Sequence, residues 1–228
     1  MPCDDSGIHR LVLASGSPRR RQLLPLLGIP FVSRAADVDE RRLDGESPAD
    51  LVIRVSQAKA YAVRDVQPDE LVVAADTVVV LDGQILGKPQ DAGEAVSMLQ
   101  RLRGRSHLVY TGLSVWQRCN WRMVNELAES VVLMRHYGDD EIARYVDSGD
   151  PLDKAGAYAI QHPAFSPVAR IEGCWLTVVG LPLCHLRRAL TRFGVVVPAS
   201  VPGACQAFNR RSCDVSPDVL EWKDHAEF

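Results

Sequence analysis

No apolar stretch in this 228-residue chain approaches the ~18 residues that a membrane-spanning helix needs. It contains no C-x-x-C pair, no H-E-x-x-H and no G-x-x-x-x-G-K-[ST]. That spacing excludes a dithiol redox motif, a zincin-type metal site and a Walker phosphate loop. The six cysteines (3, 119, 174, 184, 205 and 213) and six histidines (9, 107, 136, 162, 185 and 225) are dispersed. Cysteines so placed read as small buried apolar residues or incidental thiols, not as a disulfide framework. There is no internal repeat and no low-complexity tract. With 26 Lys+Arg against 29 Asp+Glu the net charge is -3, which lacks the basic excess of a polybasic nucleic-acid binder. The start, Met1-Pro2-Cys3-Asp4-Asp5, has neither the basic head nor the apolar centre of a signal peptide. These absences predict a cytoplasmic protein with no membrane and no nucleic-acid partner.

What remains is an ordinary globular composition, 46% hydrophobic and 24% charged, long enough for a full core without disulfide staples. Residues 10–15 read as a short strand. Ser17 as N-cap and Pro18 at the first helical position open a helix carrying Leu23, Leu24 and Leu27 on one face, which Pro25 should kink and Gly28 stop. A strand is predicted over 30–35 and a helix over 47–64, capped by Ser47, with the stripe Leu51, Val52, Val55, Ala62. Residues 71–81 are nearly all apolar and too β-branched for a helix, so they predict a buried strand, and Asp82-Gly83 a hairpin turn. Asp91 and Glu94 resemble a capping box for a helix ending at Gly104. Two long strands are predicted over 106–117 and 122–134, a short helix over 138–146, and a strand-like stretch over 157–180 with a Pro-rich interruption. A last helix carries Leu183, Leu186, Leu190 and Phe193. The order predicts an α/β fold with a central mixed sheet flanked by helices. Residues 1–197 are expected to form one domain, and 198–228 a loosely packed or disordered tail.

Several residues carry chemistry. Leu13-Ala14-Ser15-Gly16-Ser17-Pro18-Arg19-Arg20 runs from a strand through small residues into a helix start, where backbone amides and the helix dipole suit an anion. Arg19 and Arg20 sit where that dipole disfavours cations, a placement a bound anion would offset. Asp76 interrupts a β-branched run, and a carboxylate there costs several kcal/mol unless it is paired, hydrogen-bonded or metal-bound. Lys59, on the buried stripe of its helix, needs an acidic or phosphate partner or must snorkel. Lys88 follows the hairpin in a rigid Gly-Lys-Pro turn. Asp37, Asp39 and Glu40 form either a solvated acidic loop or part of a divalent-cation site. Gln161 offers a donor and an acceptor on one amide, enough to read a base edge. Together these suit a polyphosphate ester with a divalent metal better than a peptide, a sugar or a nicotinamide. Arg101, Arg103 and Arg105 would serve a nucleic-acid binder, or simply place favourable charge at a helix C-terminus.

In order and spacing, six stretches resemble the Maf family of nucleoside triphosphate pyrophosphatases, also described as septum-formation-inhibitor-like proteins. They are the 13–20 loop, Ala75-Asp76-Thr77, Gly87-Lys88-Pro89, Gly104-Arg105-Ser106-His107, the 150–158 segment ending in Ala157-Tyr158, and Val178-Val179-Gly180-Leu181-Pro182-Leu183. The resemblance implies a two-lobed fold like that of inosine-triphosphate pyrophosphatases, with the active cleft between the lobes. It implies hydrolysis between the α and β phosphates with Mg²⁺ or Mn²⁺, Asp76 being the general base. Ser15, Arg19, Arg20, Lys59 and Lys88 would stand on the phosphate side, and Arg20, Thr77 and Gln161 would set base preference. It implies the branch acting on dTTP and UTP. No metal ligand is assigned, and a homodimer is left open. The alternative is a non-catalytic, nucleotide-binding regulator of cell division. One departure is His162 in Tyr158-Ala159-Ile160-Gln161-His162, where the family usually has glycine, so the loop at Gln161 is expected to be shaped differently.

Overall fold

The computed structural model describes residues 10–221; Met1–Asp5, whose charge pattern was considered above, lies outside the described residues. In chain order the elements are β1 (Arg10–Leu13), α1 (Pro18–Leu23), β2 (Phe31–Ser33), α2 (Pro48–Ala62), β3 (Glu70–Leu81) and β4 (Gln84–Leu86). There follow α3 (Ala92–Leu102), β5 (Ser106–Gln117), β6 (Arg122–Met134), α4 (Asp139–Asp147), β7 (Val168–Gly173), α5 (Trp175–Val179), α6 (Leu183–Thr191), α7 (Val201–Asn209) and α8 (Ser216–Glu221). The strands form one mixed sheet in the order β2-β1-β3-β5-β6-β7, with β4 paired to β3. β1 is parallel to both β2 and β3, and the remaining pairs are antiparallel. The expected α/β fold with a mixed sheet flanked by helices is therefore what forms.

Local chemistry explains most boundaries. Ser17 and Ser47 cap α1 and α2 through their hydroxyls, and each helix has proline in its first turn. Pro25 acts as expected: α1 ends at Leu23 and the chain continues as a 3₁₀ turn over Leu24–Leu27, closed by Gly28 at φ +71. Asp82 and Gly83, both at positive φ, make the tight turn from β3 into β4.

Alternation along β3 sorts its side chains into two cores. Leu71, Val73, Ala75, Val79 and Leu81 join the large cluster that includes Leu99, Leu113, Leu176 and Leu186. Val72 and Ala74, with Val78 and Val80, pack on the opposite face against α2 residues such as Val52, Val55 and Ala60. The α2 backbone comes so close to β5 that a Cβ on Gly112 would lie 2.4 Å from the Val52 carbonyl oxygen. Buried Glu70 accepts from Arg10 Nε at 2.6 Å, pinning β1 to β3 with Arg10 opposite Glu70.

Three expectations are corrected. The stretch 157–180 is not one interrupted strand: Ala155–Ala157 is a 3₁₀ turn, only Val168–Gly173 is a strand, and Trp175–Val179 is a helix. Trp-Leu-Thr-Val-Val is too short for periodicity to tell strand from helix, and Gly173 and Gly180, at φ +110 and +104, bracket it as a separate element. The segment 198–228 is not loose over its described part, because α7 and α8 pack against α6. Val201 is fully buried, and Arg188 of α6 bonds both Glu126 and the Val219 carbonyl. Cys119 is disulfide-bonded, also against expectation. Among the described residues no helix is long and apolar enough to cross a membrane.

Gly112→Ala should lower stability by about 1–3 kcal/mol, the typical cost of forcing atoms into a packed contact. Urea unfolding with an unchanged m-value would read this directly. A variant as stable as the parent would mean that α2 does not rest on β5 at this point.

Candidate active site

β3 outruns its neighbour. The last β1–β3 register pair is Leu13 with Val73, and β4 begins pairing only at Val79 with Leu86. Between them, residues 74–78 present an open sheet edge, while their other edge is fully paired with β5. The 14–20 loop leaves β1 at this gap, and α2 carries the chain across to the other side of β1. A crevice at such a crossover, outside the carboxyl end of a parallel strand, is where α/β sheets place ligands. Here it forms a cleft of about 330 Å³, within the usual range for small-molecule sites. Ser15, Arg19, Arg20, Lys59, Asp76, Thr77, Lys88 and Gln161 all line it.

Asp76 points to the α2 face, opposite Gly112 in the register. Lys59 Nζ lies 2.7 Å from Asp76 Oδ1 and 2.7 Å from Glu40 Oε1. Both Lys59 and Asp76 are buried, so each is the partner the other requires. Burial raises the Glu40 carboxyl, but the hydrogen bond and charge of Lys59, with help from Lys88 and Arg20, bring it below its ordinary value. Of the three loop acids only Glu40 reaches the cleft; Asp39 instead pairs with Arg41. Asp76 and Glu40, bridged by one ammonium, suit a divalent cation that takes most of its oxygens from a phosphate chain and water. Among the described residues no group of three or more His, Cys, Asp or Glu side chains is arranged to hold a metal by itself.

Thr77, the next residue, points to the opposite face. Its hydroxyl meets Thr111 Oγ1 at 2.9 Å and accepts from Arg20 Nη2 at 3.1 Å. Arg20 also donates from Nε to the Gly180 carbonyl at 2.8 Å and from Nη1 to Ser15 Oγ at 3.4 Å. Burial lowers the Arg20 pKa, and the nearby Asp76 charge opposes that. The adjacent arginines thus differ. Arg20 is engaged by the protein on three sides, whereas Arg19 is half-buried with one long contact, 3.5 Å, to exposed Asp153. Lys88 is exposed at the cleft edge.

Val79, Ala155, Tyr158, Ile160, Val178 and Val179 form the apolar end of the cleft. Gln161 stands there on an exposed turn, not after a strand as the sequence suggested. Tyr158 OH lies 2.8 Å from His107 Nε2, joining two of the sequence stretches singled out above. Tyr145 OH donates to Asp150 and accepts from the Ala159 amide, both at 2.8 Å, bracing the turn beneath Gln161. Sequence reasoning assigned no role to Tyr158 or His107. The arginines at 101, 103 and 105 bond Gln84, Asp139 and Asp82 respectively, all within this chain.

A family model described as Maf-like protein matches residues 10–193. A protein of Pelotomaculum thermopropionicum named dTTP/UTP pyrophosphatase is 46% identical over 187 residues, 82% of this chain and 98% of its own length. One of the same name from Anaeromyxobacter dehalogenans is 48% identical over 195 residues, 85% of this chain and 98% of its own. The solved Ham1 protein of Staphylococcus aureus aligns with 55% of this chain and 71% of its own, at a TM-score of 0.39 and 16% identity.

Burial pulls the His107 pKa from 6.5 to about 4, so its ring is neutral at pH 7. Between those two values the unfolded chain binds a proton that the folded one refuses. Stability is therefore full above pH 6.5 and falls as the pH drops toward 4, by a few kcal/mol on the order expected from linkage. Unfolding of His107→Gln across that range should show a shallower slope; an identical slope would mean that His107 contributes nothing to it.

Proposed function

Since the chain belongs to the Maf family, matching its model over residues 10–193, we propose that it is a nucleoside triphosphate pyrophosphatase. It hydrolyses the bond between the α and β phosphates of dTTP and UTP, releasing the monophosphate and pyrophosphate. The observation that carries this reading is the buried Asp76–Lys59 pair, joined by exposed Glu40, at the open edge of β3, facing a loop and turn that supply Arg19 and Lys88. Relatives named dTTP/UTP pyrophosphatase support the substrate class. The catalytic unit is taken as residues 1–197, with 198–228 outside it. A substrate drawn from the free nucleotide pool suits a cytoplasmic protein.

The triphosphate enters with its charge toward Arg19, Lys88 and the 14–20 loop, and its base toward the apolar end. Asp76, held in place by Lys59, orients a water and takes its proton as the oxygen attacks phosphorus. Arg19 and Lys88 neutralise charge that builds on the departing pyrophosphate. Arg20 braces Thr77 and Gly180, setting the width of the base end. A bound Mg²⁺ or Mn²⁺, held by Asp76 and Glu40 with phosphate oxygens, would supply further charge neutralisation.

Asp76→Asn keeps the shape but not the charge, so turnover should drop about 10²-fold or more while the fold survives. Pyrophosphate release from dTTP, beside a circular-dichroism check of folding, tests this. Nucleotide binding by the parent without any turnover would leave the regulator reading in its place.

Gln161 can donate to pyrimidine O4 and accept from N3–H, a pattern that cytosine reverses. Gln161→Ala should narrow the preference for dTTP and UTP over dCTP and CTP by about 1 kcal/mol, little because the amide is exposed. A parent profile led by a purine triphosphate would defeat this base assignment and leave the hydrolase reading intact.

A further inference from the structure

Lys154 and Tyr145 are buried polar residues that the mechanism above does not use. Lys154 lies in the segment that lines the cleft, and its ammonium donates to Asp150 Oδ1 at 2.9 Å and to Asp153. Tyr145 belongs to α4 and is not among the residues lining the cleft. Its hydroxyl donates to Asp150 Oδ2 at 2.8 Å, so Asp150 is gripped from both sides.

An ionised carboxylate only accepts hydrogen bonds, so the phenol must commit its one proton to Asp150. Burial raises the Asp150 carboxyl, but the hydrogen bonds from Lys154 and Tyr145 bring it below its ordinary value. Burial and the Asp150 carboxylate in turn raise the Tyr145 pKa, and the phenol keeps its proton. Its oxygen is left as an acceptor, and the amide it accepts from is that of Ala159, at 2.8 Å.

That amide opens the turn that carries Gln161. His162 N–H closes the turn on the Ala159 carbonyl at 3.1 Å, and Ser166 N–H bonds the His162 carbonyl at 3.0 Å. The far side of the turn rests on the same tyrosine. The His162 ring meets the Tyr145 ring edge-on with centroids 4.7 Å apart, and Phe165 stacks on it at 4.3 Å. Phe165 N–H donates to His162 Nδ1 at 2.9 Å, which fixes the imidazole. One side chain therefore holds both ends of the turn on which Gln161 is exposed.

The same segment has a separate anchor on the phosphate side. Gly156 N–H donates to the Gly87 carbonyl at 3.0 Å, beside Lys88. Releasing the Ala159 anchor leaves this one in place.

We propose that Tyr145 is a specificity-positioning residue, which sets base preference by fixing the turn that presents the Gln161 amide. It does so without touching the nucleotide and without moving the phosphate side. The effect on preference rests on the cleft being the pyrimidine nucleotide site; the hold on the turn does not.

Tyr145→Phe removes the oxygen and keeps both ring contacts, so the fold should survive, as circular dichroism would check. The ratio of kcat/KM for dTTP to that for dCTP should fall about threefold, through a higher KM for dTTP, with its kcat within about twofold of the parent. Made in Gln161→Ala, the same substitution should narrow the ratio no further, because the group being positioned is gone. A merely structural residue would instead lower kcat for both nucleotides and leave the ratio alone, and that result would overturn the proposal. Additive narrowing in the double variant would overturn the route through Gln161.

Amide deuterium exchange, resolved by NMR, reads the hold without turnover. In the parent, the Ala159 amide should be protected and the Gln161 amide fast; in Tyr145→Phe the Ala159 protection should be lost. Ala159 exchanging as fast as Gln161 in the parent would overturn the hold with no variant needed. So would unchanged Ala159 protection in Tyr145→Phe. A parent inert toward both nucleotides would fail the pyrophosphatase reading instead, and the exchange comparison would still decide the hold.

Discussion

The cleft depends on one buried ion pair, Lys59 with Asp76, placed where α2 crosses β3. Each group alone would be costly in this position, and breaking such a pair by removing one partner costs about 3–5 kcal/mol. Replacing both by well-packed apolar residues is often neutral or stabilising, so stability alone gives no reason to keep them. The pair makes sense as a device that holds a carboxylate in a fixed position beside an open sheet edge. Glu40 sharpens this. It brings a second carboxylate onto the same ammonium at 2.7 Å, at the mouth of the cleft where, under the proposed function, a cation and phosphates would meet.

The position of that edge follows from strand register. Arg10 and Glu70 lock the first residues of β1 and β3 together, which fixes where β1 stops and how much of β3 continues alone. Strand alternation then divides the work. Asp76 falls on the α2 side, and Thr77 on the side of Arg20, Thr111 and α5. A slip of one residue would exchange the two, placing a carboxylate beside Arg20 and Thr111 and a hydroxyl beside Lys59. Under the proposed function, adjacent residues would thus serve phosphate chemistry and base recognition without competing for the same space.

Much of this was legible in the sequence because the signals were local. Serine caps, Pro18, Pro48 and Asp82-Gly83 mark boundaries through backbone chemistry that does not depend on the rest of the chain. A carboxylate in an all-apolar strand and a lysine on an apolar helix stripe advertise each other, since neither is tolerable unpaired. What escaped depended on three-dimensional convergence. Nothing in Asp37, Asp39 and Glu40 distinguishes the acid that turns inward from the one that pairs with Arg41. His107 and Tyr158 are 51 residues apart, and each alone looks like a core side chain. The C-terminal helices, poor in long apolar stripes, bury mainly single residues such as Val201 and so leave no clear periodicity.

The two neighbouring arginines show how fold decides function within one motif. In sequence Arg19 and Arg20 are equivalent candidates for a phosphate. In the structure Arg20 gives its donors to the Gly180 carbonyl, Thr77 and Ser15, tying the first helix to the end of α5 and to β3. Three of the five N–H donors of that guanidinium are so engaged, which fixes its position and leaves two for a ligand. Arg19 has only the long contact to exposed Asp153 to lose. Under the proposed function Arg19 and Lys88, the less engaged cations, would be the first to meet the phosphates, while Arg20 ties the walls of the cleft together. Its fixed fork of five donors allows three simultaneous bonds, which a lysine in the same place could not match in geometry.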